Sequence, residues 1–278
     1  MTIAAVEVLC VALLALGVVL RARTGSLQAW RRDAAWIFVG AWLGEQTCIQ
    51  FYDFYRYDPG WHGWLGDVPV LIPVIWIVVV LSARDVATVL RPANKHWLPL
   101  AFLVIWYDAS LIEPIATHAG LWRWNQAGPF AVPWIGMLGW ALYGAAALAW
   151  LQWLPNRWRW SAALLAPATT HALLLAVWWG GLRWIGRGTP DASWVAGGSW
   201  LVAAAAALAL WRTGRLQSVP LALLLPRMPP AAFFFALLAT TAGDASLAVY
   251  AGAFALPWLA ATRWPAAHFH NDSVTPRP

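Results

Sequence analysis

Among the ionisable side chains inside long apolar stretches of the sequence, five are candidates for chemistry. They are Glu45, Asp108, Glu113, His171 and Asp244. Because charge in an apolar medium is expensive, each of them is a functional candidate. A carboxylic acid without a charged partner in such a medium favours its neutral, protonated form and can act as a general acid. These residues indicate proton donation inside an apolar cavity.

Each of these side chains also has a structural interpretation, in which it only locks the packing of helices. That interpretation is favoured for Asp244, which lies near a possible helix break, and for His171, which follows two threonines. Glu45, Asp108 and Glu113 have no Lys or Arg nearby in sequence, which favours a catalytic role. Asp108 and Glu113 are about 140° apart on a regular helix, so they share a face only if the following proline distorts the turn.

Other kinds of chemistry leave no pattern in the sequence. There is no phosphate-binding loop, metal-ligand cluster, Ser-His-Asp order or dinucleotide fingerprint. Cys10 and Cys48 both lie in apolar runs, where they indicate small buried side chains. We therefore predict a protein without cofactor or metal, whose reaction needs only an acid, water and an apolar cavity.

Tryptophan is unusually frequent, with 24 residues, and many of these lie at the predicted ends of membrane spans. Others lie within spans, among them Trp42, Trp76, Trp106 and Trp140. Their rings can line a pocket for a flat apolar molecule, and their π-faces stabilise a carbocation. We predict that these tryptophans bind such a molecule, since an acid beside aromatic faces can protonate an alkene inside a bilayer.

A membrane-embedded bundle must position these residues, because the composition excludes a soluble protein. Of 278 residues, 61% are hydrophobic and only 11% are charged, and the mean hydropathy is +0.59. A soluble domain averages about 25% charged residues. Since about 20 apolar residues span a bilayer, the chain has room for about eight helices, with a range of roughly seven to nine. We predict an all-α, polytopic transmembrane helical bundle, with one domain over residues 1–264 and a disordered tail over 265–278.

Eight apolar stretches are bounded by charges or by clusters of Pro and Gly. They cover residues 3–20, 33–53, 68–90, 97–118, 131–153, 160–182, 193–212 and 219–263. The last stretch is rich in proline and fits either one long helix after a re-entrant piece or two short spans. The first has no basic residues before it and no small-residue cleavage site, so we predict a retained helix and not a signal peptide.

The loop charges predict the orientation of the bundle. Odd-numbered loops are basic and even-numbered loops are poor in positive charge, with only the sixth loop blurring the pattern. By the positive-inside rule, the odd loops are cytoplasmic and the N-terminus lies outside, which we expect in a bacterial inner membrane. These loops account for the net charge of +6, so we predict no nucleic-acid partner. The oligomeric state is left open.

Motifs between residues 108 and 140 resemble those of a known membrane family. They are Asp108, Glu113-Pro114, Gly120-Leu121-Trp122-Arg123-Trp124, Val132-Pro133 and Gly139-Trp140. Upstream, the similarity continues through Glu45, Tyr57, Asp67-Val68-Pro69, Pro73 and Trp76. The pattern is similar to that of the membrane carotenoid-biosynthesis family that includes the carotenoid 1,2-hydratases of the bisanhydrobacterioruberin and γ-carotene type. Glu113 stands where the family usually has Asp, and Gly136 where it has Asn.

The resemblance implies that the protein adds water across the terminal 1,2 double bond of a linear carotenoid. Asp108 and Glu113 would then be the acid and base, with Glu45 as a third catalytic carboxyl. Tyr107 would be a hydrogen-bonding partner. The in-span tryptophans would bind the substrate, an apolar polyene or isoprenoid, together with Trp122, Trp124 and His171.

Two other functions fit the same residues. A proton-initiated cyclase would use the same acid and the same cation but would exclude water, giving an isomer of equal mass. A non-enzymatic carrier or transporter of lipid or pigment would change no substrate's mass, although substitutions at Asp108 and Glu113 would alter binding or transport. In each case membrane lipid would surround the bundle.

Overall fold

A computed structural model describes residues 2–91, 96–185, 190–212, 219–241 and 244–257 of the chain. The helices of these residues are α1 (Thr2–Arg23), α2 (Leu27–Tyr52), α3 (Leu71–Leu90), α4 (Leu98–His118), α5 (Trp134–Trp153), α6 (Ala162–Val177), α7 (Arg183–Ile185), α8 (Ala192–Arg212), α9 (Leu221–Leu224), α10 (Met228–Thr240) and α11 (Ala245–Ala253). A π-helical turn, Trp178–Leu182, joins α6 to α7. The strands are β1 (Tyr55–Tyr57), β2 (Trp64–Leu65), β3 (Val68–Pro69) and β4 (Trp122–Trp124). The predicted tail, 265–278, lies outside the described residues.

The long helices follow from long apolar runs, because only a helix satisfies its own backbone hydrogen bonds where water is absent. Six helical segments are long and apolar enough to cross a membrane, namely α1, α3, α4, α5, the segment Asn156–Leu182 and α8. Helix α2 has 26 residues but carries Glu45 and three charged residues in its first two turns. It packs between α3 and α6 and therefore runs alongside spanning helices. The predicted all-α helical bundle is confirmed.

Helices α2 to α6 form a closed ring. Within it, α2 packs on α3, α3 on α4, α4 on α5, α5 on α6 and α6 on α2. Helix α1 packs mainly on α3 outside the ring, α10 packs on α4, and α8 packs on α11. Together with α1 and α10, these helices line the cavity that holds the candidate site.

The two ends of the ring carry different polar contacts. At the end that we call the basic end, Arg21 pairs with Asp85, and Arg84 and Arg159 lie 3.2 and 3.5 Å from Asp33. At the opposite end, called the sheet end, β1 pairs with β4 and β2 with β3, both antiparallel. Helices α1 and α3 end at the basic end, while α2 and α4 begin there.

Residues 219–241 and 244–257 contain short helices. Helix α10 has 13 residues and α11 has 9, and each is shorter than a bilayer span requires. Of the two arrangements left open by the sequence, one long helix does not fit, because the backbone of Asp244 between α10 and α11 is extended. Asp244 caps α11 by accepting hydrogen bonds from the N–H groups of Ser246 and Leu247 at 2.9 and 3.2 Å. This is the structural role favoured from the sequence.

Candidate active site

Glu45 lies on α2, and three aromatic side chains hold its carboxyl group. Its Oε2 accepts hydrogen bonds from the hydroxyls of Tyr55 and Tyr57, the latter at 2.8 Å. Its Oε1 accepts one from the indole Nε1 of Trp76 at 2.8 Å. The tyrosines belong to β1 and the tryptophan to the second turn of α3.

Glu113 lies on α4 and has the same kind of surroundings. Its Oε2 accepts hydrogen bonds from the indoles of Trp122 and Trp124 at 2.8 and 2.9 Å, and its Oε1 accepts one from Trp140 at 2.6 Å. An ionised carboxyl has about four acceptor positions. Among the described residues, each glutamate therefore keeps one open position, on Oε1.

The strand pair β1–β4 explains why these two sets of donors lie side by side. Tyr55 lies opposite Trp124 and Tyr57 opposite Trp122. Because side chains alternate along a strand, the outer aromatic residues of each strand share one face and the central arginine points to the other. The rings pack across the strands at centroid distances of 4.8 and 6.0 Å. Strand β1 thus supplies donors to one glutamate and β4 to the other.

Tyr55 and Tyr57 lie between the helices, and both are neutral hydrogen-bond donors. Burial raises the pKa of each phenol well above its usual range, and the nearby Glu45 carboxyl raises it further. Their hydroxyl protons are therefore retained and available to Glu45 at neutral pH.

Gly136 in the first turn of α5 makes room for Trp124. A Cβ atom at this position would lie 2.6 Å from Cζ2 and 2.7 Å from Cη2 of the indole. A side chain here would therefore displace the ring that donates to Glu113. The glycine that departs from the family pattern is the residue that accommodates this donor.

Glu45, Glu113 and Asp108 line one cavity between helices α1 to α6 and α10, which we call the main cavity. Along α3 its wall extends from Ile72 to Ser82, about 15 Å of helix axis. Most of the wall is apolar, and it includes Leu9, Leu13, Ile75, Val79, Ile135 and Phe234. The three carboxyls selected from the sequence therefore share one chamber.

Asp108 differs from the two glutamates, because a cation holds it. Arg227, in the turn before α10, forms an ion pair with Asp108 and donates to Ser82 Oγ at 2.7 Å. The same guanidinium contacts two main-chain carbonyls at 3.3 and 3.4 Å. Asp108 is thus not isolated, and its partner is 119 residues away in sequence. The surroundings of Glu45 match those of Glu113, and those of Asp108 do not. The catalytic pairing of Asp108 with Glu113 stays a prediction.

Three other predicted site residues point away from the main cavity. The hydroxyl of Tyr107 donates to the carbonyl of Phe254 and so binds α4 to α11. The indole of Trp42 donates to the carbonyl of Leu65 at 3.0 Å and so holds the β2–β3 hairpin. Trp106 is 40% exposed on the outer surface of α4. None of the three lines the main cavity. Their roles in catalysis and substrate binding stay predictions.

His171 lines the main cavity from α6, with its Nε2 2.6 Å from Thr47 Oγ1. Thr47 Oγ1 also lies 2.6 Å from the Leu43 carbonyl, so either atom of the contact with His171 could be the donor. The Nδ1 atom of His171 is buried and has no hydrogen-bond partner among the described residues. The role of His171 in substrate binding remains a prediction.

Two residues of the site were missed from the sequence, Tyr55 and Arg227. Tyr55 belongs to an aromatic-Arg-aromatic triplet that is repeated at Trp122-Arg123-Trp124, and this alternation is typical of a strand. Arg227 lies in a proline-rich segment with no local pattern that indicates a partner.

Fold and site together define a polytopic helical bundle of the membrane type. Its apolar cavity contains two caged glutamates, which means that uncharged phenol and indole groups hold their carboxyls by hydrogen bonds. Within the described residues, no group of three His, Cys, Asp or Glu could hold a metal. A family model described as carotenoid biosynthesis protein matches residues 4–189, and the chain belongs to this family. Membership supports a role in carotenoid biosynthesis. The matched part contains both caged glutamates, whereas Arg227 lies beyond it. Neither the curated proteins nor the solved structures gave a match.

Proposed function

We propose that the protein is a carotenoid hydratase, which adds water across a terminal 1,2 double bond of a linear carotenoid. One observation carries this proposal: Glu45 and Glu113 line one apolar cavity, and neutral aromatic groups hold both carboxyls. Hydration of such a double bond needs an acid that protonates carbon and a base that accepts a proton from water. The two glutamates are suited to these roles.

If the two carboxyls share one proton, the protonated one is the acid and the ionised one is the base. Two negative charges in one apolar cavity repel, so the pair favours one acid and one carboxylate. The aromatic donors stabilise the ionised member without adding a positive charge. The open acceptor position on each Oε1 is available to the proton or to a water molecule.

The reaction then takes two steps. The acid gives its proton to C2, the π electrons of the double bond form the new C–H bond, and a tertiary cation remains at C1. A water molecule binds C1 through an oxygen lone pair and passes its extra proton to the second carboxylate. The pair again holds one proton, now on the other glutamate, and the product has gained one water.

Trp76 and Trp140 support this chemistry by their position between the two carboxyls. Each donates its N–H to one glutamate, and their rings pack against each other at a centroid distance of 4.9 Å. An aromatic face stabilises an adjacent cation by about 0.5–2 kcal/mol. His171, with its unpartnered Nδ1, would form a hydrogen bond with water or with the product hydroxyl.

We also propose a bacterial inner membrane location, with the N-terminus and the sheet end outside. Arg21, Arg84 and Arg159 gather at the basic end, and the positive-inside rule places such an end in the cytoplasm. Thr24 is exposed at this end. A charged thiol reagent should therefore label Thr24→Cys only from the cytoplasmic side. Labelling only from outside would show that the orientation is the opposite of the one proposed.

The function is tested by expression in a lycopene-producing host, with mass spectrometry of the extracted pigments. Wild type should yield a pigment heavier by one water, and Glu45→Gln and Glu113→Gln should not. Asp108→Asn is the comparison variant and should keep activity in proportion to the folded protein. An isomer of equal mass would identify a cyclase. An unchanged pigment profile with well-expressed wild type would refute the lycopene-type hydratase and favour a carrier.

A further inference from the structure

We propose that water reaches the carboxyl pair from the basic end through a second cavity, with Ser82 and Arg227 at the junction. This inference rests on the proposed hydration, which consumes one water molecule per turnover inside an apolar chamber. Such a chamber needs a supply of water that does not depend on the lipid.

The second cavity lies between α1, α3 and α9, in the half of the bundle nearer the basic end. Arg21, Thr24 and Asp85 line it. Its wall on α1 extends from Gly17 to Arg21, about 6 Å of helix axis, and Thr24 continues it just after the helix. Because Thr24 is exposed, this cavity reaches the surface at the basic end.

The two cavities adjoin at three residues, Val78, Ser82 and Pro226, which line both. Ser82 Oγ accepts a hydrogen bond from Arg227 at 2.7 Å. Arg227 is paired with Asp108, which lines the main cavity. Polar groups therefore continue from the second cavity through the junction into the main one.

This placement fits a water route better than a purely structural role. Water enters a protein interior where polar groups replace the hydrogen bonds that it gives up. A buried ion pair is weak evidence for stability, because the cost of removing two charges from water offsets their attraction. A polar junction between two cavities gives the Arg227–Asp108 pair a use that packing alone does not.

Thiol labelling tests the route without any assay of activity. Ser82→Cys is placed in a background with Cys10→Ala and Cys48→Ala, and a charged, membrane-impermeant methanethiosulfonate is added to oriented vesicles. Since only a hydrated thiolate reacts, we expect labelling from the same side as Thr24→Cys. Leu103→Cys, at a position 50% exposed on the outer surface of α4, should stay unlabelled. Absence of reaction at Ser82→Cys, or reaction only from the opposite side, overturns the route.

A larger apolar side chain at the junction tests whether the rate of turnover depends on this route. Ser82→Leu should lower the rate of water addition by about tenfold or more, while the amount of pigment that copurifies with the protein is unchanged. The matched control is Thr88→Leu, at an exposed position on the same helix, which should keep the wild-type rate. A wild-type rate in Ser82→Leu overturns the proposal. If wild type forms no hydrated pigment, the proposed function fails, and the labelling of Ser82→Cys still decides the route.

Discussion

Indole and phenol groups hold the two glutamates, whereas a guanidinium holds Asp108, and this difference separates their chemistry. A guanidinium is always charged, so it favours the anionic form of a carboxyl beside it. An indole N–H donates a hydrogen bond without a charge, which leaves the carboxyl able to gain and lose a proton. Glu45 and Glu113 are therefore suited to act as acid and base, and Asp108 is suited to hold Arg227 in place.

Replacing the acid by its amide tests the role of Glu113. Glu113→Gln removes the group that carries the proton, so we expect the rate of hydration to fall about 10²–10⁴-fold. With the amide oxygen placed on Trp122 and Trp124, the NH₂ group faces the N–H of Trp140, and two donors oppose each other. This conflict should cost about 1–3 kcal/mol of the free energy of unfolding. Pigment analysis measures the first effect and thermal unfolding in detergent the second.

The matched control removes the opposing donor. In the double variant Glu113→Gln/Trp140→Phe the conflict is gone, so we expect stability to recover in part while hydration stays lost. Recovery of both properties would mean that Glu113 only organises the tryptophans.

At this scale, the sequence indicates carboxyls but not their partners. Glu45 and Glu113 stand out because a polar residue in an apolar run is visible locally. Tyr107 and Asp108 are neighbours in sequence, yet one contacts α11 and the other Arg227. Such contacts depend on how helices that are far apart along the chain are oriented toward each other. The hydropathy pattern does not indicate this orientation.

At the scale of elements, the short strands matter more than their length suggests. Sequence analysis places Trp122 and Trp124 in a family motif but assigns them no secondary structure. A strand puts alternate side chains on one face, so three residues are enough to aim two rings at one carboxyl. A helix of the same length would spread them by about 200° and would separate the donors.

Gly136 offers a test of how α5 helps to position Trp124, which donates a hydrogen bond to Glu113. Gly136→Ala places a Cβ within 2.6 Å of Trp124, so the indole must move away from Glu113. We expect a loss of hydration by about tenfold and a loss of stability of about 1–3 kcal/mol, as for overpacking in a core. Tryptophan fluorescence and pigment analysis follow the ring and the reaction.

Gly139→Ala is the matched control for stability on the same helix. Among the described residues, a Cβ there meets only Leu174, at 3.9 Å, so the change should leave the protein as stable or raise its stability by up to about 1 kcal/mol. Equal losses for the two alanines would show that the effect belongs to the helix and not to the contact with Trp124.

For the whole molecule, composition is sufficient to predict a membrane bundle. In a bilayer, long apolar stretches of this kind satisfy their backbone hydrogen bonds by forming helices. Composition does not predict the ring of α2 to α6, nor where α9 to α11 attach, since these depend on contacts between distant segments. Helix α10 lies beyond the part that matches the family, yet it contacts α4. The ion pair of Arg227, in the turn before α10, therefore joins the segment after residue 189 to the family part of the fold.

The energy with which this ion pair stabilises the fold can be measured by a double-mutant cycle on Asp108 and Arg227. The side chains are only 16% and 3% exposed, so removing one partner leaves a buried group without compensation. We expect Arg227→Met and Asp108→Leu each to lower the free energy of unfolding by about 3–5 kcal/mol. The double variant, with no charge left to bury, should be more stable than either single variant. Thermal unfolding in one detergent gives all four values, and losses that simply add in the double variant would show that the two residues do not stabilise the fold as a pair.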